Sequence, residues 1–164
     1  MSSQESTSTE VLPLSLDDQP SSPMIELVTT DEVRYSIARS ALKLSTVLTT
    51  SISDDLTCKE IPIKFESVWF KHVIQFLEYH QDKEAPPEIA KPLRSKVMKE
   101  VTTEWCAEYV DKLAKHRDTL WEVMKIANYF DIPSLLHLCC AKTAGLIKGQ
   151  KLEDIKSILL TNEE

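Results

Sequence analysis

The sequence predicts an α+β fold that is mostly helical, with one small three-stranded sheet. Two observations predict it. Three short runs rich in β-formers fall before residue 64, and from Ser67 onward apolar residues recur at helical spacing. With 164 residues and 42% hydrophobic content, the chain is sized for one domain with a proper core.

Residues 1–23 are rich in Ser, Thr and Pro with scattered Leu. Such a stretch buries too little surface to offset its ordering entropy and reads as a disordered tail. Residues 24–28 and 33–37 read as a hairpin whose turn, residues 29–32, lacks glycine. Residues 38–45 and 46–51 read as one or two short helices. Residues 59–63 read as a third strand, and Pro62 favours an edge or a strand end. Over residues 67–80 the apolar face holds Phe65, Trp69, Val73, Phe76, Leu77 and His80. Residues 81–92, with Pro86, Pro87 and Pro92, read as a loop or linker, and basic residues 94–99 as loop or extra helix. Thr102 or Thr103 caps a helix carrying Trp105, Tyr109 and Leu113. Asp118 is the expected N-cap of a helix over 119–130 whose buried stripe is Leu120, Met124 and Ala127. Pro133 opens the next helix, which stops at Gly149 as C′ residue. A last helix spans 151–160.

Composition excludes several function classes. The net charge is −7, and Glu5, Glu10, Asp17 and Asp18 put −4 of it in the tail, which leaves −3 on the remainder. That balance argues against nucleic acid as a partner. Two glycines, Gly145 and Gly149, leave no room for a phosphate-cradling loop. No apolar run is long enough for a membrane span, and the N-terminus lacks the pattern of a secretory leader. Cys58, Cys106, Cys139 and Cys140 show no metal or disulfide spacing, so a reduced compartment is expected, cytoplasm and nucleus. His72, His80, His116 and His137 are scattered, and Cys139 and Cys140 read as small packing residues. No catalytic residue, metal or cofactor is expected.

The helix over 133–148 carries two apolar stripes. Leu135, Leu138, Cys139 and Leu146 form one; Leu136, Cys140, Ala144 and Ile147 form the other. One stripe is enough to dock a surface helix. The last helix adds Leu152, Ile155 and Leu159, with Ile158 and Leu160 beside them. Five such side chains left in water forfeit about 10 kcal/mol of burial, and such patches mark protein-binding surfaces.

These residues also resemble a known family. Residues 126–132 (IANYFDI), Leu135-Leu136, residues 146–149 (LIKG) and Glu153-Asp154-Ile155 are similar to the S-phase-kinase-associated adaptor family. Upstream, residues 24–27, Ile37-Ala38-Arg39, residues 44–48, Ile61-Pro62-Ile63, Val73-Ile74-Gln75, Trp105 and Tyr109 continue the likeness, which covers about residues 24–160. The resemblance implies a BTB/POZ domain over 24–132 and F-box-binding helices over 133–164. It implies a non-enzymatic adaptor of an SCF-type ubiquitin ligase, joining a cullin scaffold to F-box proteins. Asn128 and Tyr129 match the family's cullin-facing pair. Leu138, Cys139, Thr143, Ile147, Gly149, Ile155 and Leu159 match its F-box surface. Three departures stand out. Asp31-Glu32 replaces Asp-Gly in the hairpin turn, Gln150-Lys151-Leu152 replaces a Thr-Pro cap, and the sequence given stops at Glu164 where relatives continue through an acidic helical segment. They imply a weaker turn, a fraying last helix and weaker or more selective F-box binding. They also motivate the alternative of a cullin-independent scaffold that self-associates as a homodimer through its BTB/POZ part, in a kinetochore or chromosome-axis type of assembly.

Overall fold

The computed structural model describes residues 23–54, 57 and 59–160. The expected tail, except Pro23, and Cys58 lie outside the described residues.

Alternation places Ile25 and Leu27 on the inner face of β1 (Met24–Val28) and Ile37 on that of β2 (Arg34–Ala38). The two pair antiparallel, Met24 opposite Ala38 and Val28 opposite Arg34. β3 (Glu60–Pro62) runs parallel to β1 on its other side, giving the order β2-β1-β3. Pro62, which has no N–H to donate, ends an edge strand. The chain is thus mostly helical α+β with a small three-stranded sheet, as the sequence predicts.

The hairpin turn carries the strain that the missing glycine implies. Glu32 has φ +62°, a left-handed conformation that its Cβ disfavours. Glu32→Gly is therefore expected to stabilise the protein by about 1 kcal/mol, read as a higher urea midpoint at unchanged slope. The neighbouring Asp31 has a second task. Its carboxylate accepts from the Ser67 amide at 2.9 Å and the Ser67 hydroxyl at 2.5 Å. Ser67 opens α2 (Ser67–Tyr79), so the turn caps a helix far along the chain. The Ser67 bonds hold the Asp31 carboxyl down at about 2.

A 3₁₀ turn, Arg39–Leu44, leads into α1 (Thr46–Asp54). Buried Ser45 accepts from the Leu48 amide at 3.1 Å and donates to the Phe130 carbonyl at 2.5 Å. The Thr46 amide donates to the Asp131 carbonyl at 3.1 Å. The consecutive carbonyls of residues 130 and 131 are therefore fastened to the start of α1.

α3 (Glu104–Leu113) is capped by Thr103, whose hydroxyl accepts from the Cys106 amide at 3.4 Å. α4 (Arg117–Tyr129) corrects the expected cap. His116, not Asp118, stands at the N-cap, because the Leu120 amide already donates to the His116 carbonyl. Asp118 lies inside the first turn, where its charge suits the helix dipole. The buried stripe of α4 is Leu120, Val123, Ile126 and Ala127, while Met124 is only half-buried. α5 (Pro133–Ile147) begins on its proline and is followed by Gly149 at φ +75°, the expected C′ geometry. α6 (Leu152–Leu159) closes the described chain. One core cluster runs from Ile25 and Leu27 through Phe70, Phe76 and Ile126 to Leu135, so the core is continuous across residues 132 and 133.

The stretch read as a linker is a strap. Ile89 and Met98 are buried in the core, and Met98–Glu100 forms a 3₁₀ turn. Ile89, Pro92 and Leu93 line one side of a cavity of about 190 Å³ whose other side is Cys140, Ala141 and Ala144 of α5. The Lys148 ammonium donates to the Leu93 carbonyl at 2.9 Å. The strap backbone passes close to Gly145, where a Cβ would stand 3.4 Å from the Lys96 carbonyl oxygen, an ordinary contact distance.

His80 follows α2 and is buried, with Nδ1 2.8 Å from the Phe76 carbonyl and Nε2 3.9 Å from the Cys106 thiol. Burial lowers its pKa below the ordinary 6.5, and the Phe76 carbonyl opposes that shift only in part. Burial lowers His72 in the same direction. The unfolded chain then binds more protons than the folded one as pH falls below about 6.5, so stability declines there. Urea midpoints are expected to drop between pH 7.5 and 5.5, and to drop less in His80→Gln.

Candidate functional site

The two stripes of α5 have different fates. Leu138 is 2% exposed and Cys139 is 0% exposed, both packed with Leu135 in the core. This corrects the expectation that Leu138 and Cys139 form part of a docking surface: the stripe they occupy is the one that holds α5 to its own domain. Burial pushes the Cys139 thiol far up, which suits an inert packing residue. The strap runs beside the second stripe, where Cys140 stays exposed and Ala144 is half-buried. Leu136, from that stripe, opens on a cleft.

That cleft lies between α4, α5 and α6 and has a volume of about 610 Å³. Trp121, Met124 and Asn128 line it from α4, Leu136 from α5 and Leu159 from α6, with Glu122 and Lys125 at hand. The Glu122 and Lys125 side chains pair at 2.7 Å. A second cleft of about 290 Å³ continues on the other side of Trp121, between Leu120, Thr143, Leu146 and Ile158. The Trp121 indole N–H is buried with no hydrogen-bond partner among the described residues. Thr143 donates its hydroxyl to the Cys139 carbonyl at 3.0 Å. Ile147 and Ile155 are half-buried, Gly149 is exposed, and Leu159 is 39% exposed. At the two ends of α6, Leu152 and the C-cap Leu160 are 64% and 60% exposed.

Asn128 and Tyr129 are both exposed but serve different neighbours. Tyr129 is 49% exposed, set edge-on to Phe65 at 5.3 Å and Phe130 at 5.0 Å. Asn128 looks into the α4–α6 cleft beside Leu159. Consecutive residues on a helix diverge by about 100°, so the pair straddles two surfaces. Leu136 comes from the second α5 stripe read in the sequence, whereas Trp121 and Met124 are lining residues that the sequence reading leaves out. The spacing of Trp121, Met124 and Asn128, i, i+3 and i+7 on α4, is the signal that marks them.

Among the described residues, no three His, Cys, Asp or Glu side chains gather closely enough to hold a metal ion, and none of their helices is long and apolar enough to cross a membrane. A small sheet, a helical body and an apolar cleft at its last helices define a protein-binding domain. No family model matches the chain. It is 32% identical over 136 residues to the S-phase kinase-associated protein 1 homolog of Tetrahymena thermophila, covering 82% of this chain and 80% of the relative. It is 29% identical over 139 residues to SKP1-like protein 13 of Arabidopsis thaliana, 84% of each. It is 26% identical over 138 residues to the E3 ubiquitin ligase complex SCF subunit sconC of Talaromyces stipitatus, 82% of each. The chain belongs to the S-phase kinase-associated protein 1 family.

Proposed function

We propose that this protein is the adaptor subunit of an SCF-type ubiquitin ligase, without chemistry of its own. The observation that carries the reading is the apolar cleft between α4, α5 and α6, lined by Trp121, Met124, Leu136 and Leu159. An amphipathic helix fits such a groove by its apolar face. Family membership and the name of the sconC relatives, an SCF subunit, support the same role. In this reading residues 24–132 are a BTB/POZ domain that docks on a cullin through Tyr129, with Asn128 beside it. Residues 133–164 take the helices of an F-box protein against Thr143, Ile147, Gly149, Ile155 and Leu159. Leu138 and Cys139 set the position of that surface from beneath. The adaptor acts by holding a receptor-bound substrate near the cullin-bound conjugating enzyme, which raises effective concentration. Its free thiols Cys106, Cys139 and Cys140 suit the reducing cytoplasm and nucleus.

The test is reconstitution. Purified protein is expected to form a stoichiometric complex with an F-box domain and a cullin N-terminal region, seen by size-exclusion chromatography with light scattering. A tight homodimer that hides Tyr129 and binds neither would overturn the reading in favour of a self-associating scaffold.

A further inference from the structure

Two stretches that the fold brings together hold six cations and no anion, in a chain of net charge −7. Lys91, Arg94, Lys96 and Lys99 lie on the strap, and Lys148 and Lys151 at the end of α5. The Lys148 ammonium reaches the Leu93 carbonyl at 2.9 Å, and the Lys96 ammonium ends 3.5 Å from where a Cβ on Gly149 would stand. Lys99 is already matched, held between Glu104 and Glu108 at 3.1 Å each. The other five cations are exposed, and none forms an ion pair with a described residue. Lys148 spends its ammonium on the strap and not on the free carbonyls that end α5, so the helix dipole does not account for it. Between the two stretches lies the cavity of about 190 Å³, whose walls include Leu93, Cys140, Ala141 and Ala144, with Lys91 beside them. On α5 the row of Ala144 and Lys148 is about 100° round from the row of Thr143 and Ile147. The basic face therefore continues the surface assigned to the F-box guest, and the two meet at Gly149.

We propose that the strap and the end of α5 form a second docking face, which takes an acidic segment adjoining the guest's F-box helices. Its carboxylates meet Arg94, Lys96 and Lys148, and an apolar side chain enters the cavity between them. The proposal rests on the F-box reading for the identity of the guest, whereas the charge of the segment follows from the cations alone. A peptide suits this face better than nucleic acid. The cations are interrupted by apolar surface, with Val97 53% exposed, and Glu100, Glu153 and Asp154 flank them and repel a run of phosphates. Exposed charge pairs of this kind add modestly to affinity and more to the choice among partners. Guests with an acidic flank are thereby preferred over guests without one.

The experiment uses the full chain as wild type, as Arg94→Glu combined with Lys96→Glu, and as Lys96→Gln. Unchanged urea midpoints keep unfolding apart from lost binding. The probe is a short synthetic peptide of Asp and Glu around one central Leu, titrated at about 50 mM salt and followed by amide NMR shifts. Shifts are expected at Lys96, Gly145 and Gly149, smaller in Lys96→Gln and absent in the double variant or at about 0.5 M salt. Grafted onto an F-box domain that binds, the same peptide should tighten capture about 3- to 10-fold over a graft of Asn and Gln, and only in wild type. No shift at these amides overturns the acidic site. Shifts with no gain from the graft overturn its continuity with the docking surface. An oligonucleotide of equal charge that moves the same amides further overturns the choice of a peptide. Movement of those amides in Asp17→Asn with Asp18→Asn, before any peptide is added, overturns it in favour of the chain's own acidic start. Failure of every F-box domain to bind overturns the functional reading, while the free-peptide titration still decides the basic face.

Discussion

Leu138→Ala is expected to lower the unfolding free energy by about 2–5 kcal/mol, whereas Leu152→Ala is expected to change it by less than about 0.5 kcal/mol. Both are leucines on the two last helices, and from the sequence alone both belong to the surface offered to a partner. The structure separates them. Leu138 is 2% exposed and packs in the cluster that joins α5 to α3 and α4, so truncation leaves a cavity that neighbouring helices cannot fill. Leu152 is 64% exposed at the start of α6 and forfeits little. Urea unfolding of the two variants beside wild type checks the pair. Equal midpoints would mean that α5 is not held by the stripe assigned to it.

The second large effect is expected at the end of α4. Tyr129→Lys should weaken capture of a cullin N-terminal region by about 30-fold or more, the loss expected when an aromatic anchor at an interface centre is replaced by a charge. Its cost to stability should be only about 1 kcal/mol, the worth of the edge-on contacts to Phe65 and Phe130. F-box capture by Tyr129→Lys should survive. Asn128→Lys is expected to behave differently and to reduce F-box capture too, since Asn128 lines the cleft with Leu159 and Trp121. Parallel pull-downs with the two partners read both effects. Loss of both partners in Tyr129→Lys would point to unfolding, and full retention of the cullin would remove Tyr129 from the interface.

Much of this architecture is written in local pattern. Alternation in residues 24–28 and 33–37 gives the hairpin, Pro62 gives the edge, Thr103 and Gly149 give helix ends, and each agrees with backbone chemistry that acts within a few residues. What local pattern misses is long-range. Ile89, Leu93 and Met98 are isolated apolar residues in a proline-rich, basic stretch with no period, so nothing marks them as anchors of a strap over α5. Leu138 and Leu136 sit on stripes of similar hydrophobicity, and periodicity shows that two faces exist without saying which one is turned inward. The Asp31 cap on α2 joins residues 36 apart and leaves no trace in either segment. The hydrogen bonds from the Arg117 guanidinium to the Ser157 and Leu160 carbonyls are of the same kind, because backbone acceptors carry no side-chain signature.

The fastening of Ser45 and Thr46 to the Phe130 and Asp131 carbonyls bears on what such an assembly would deliver. Tyr129 stands immediately before that bracket and α5 immediately after it. In the proposed assembly a locked elbow would keep the two visitors on its arms at one separation and one heading, so that cargo hung on the receptor would be carried in a fixed direction. Loosening it by Ser45→Ala would let that heading wander even where each visitor stayed attached.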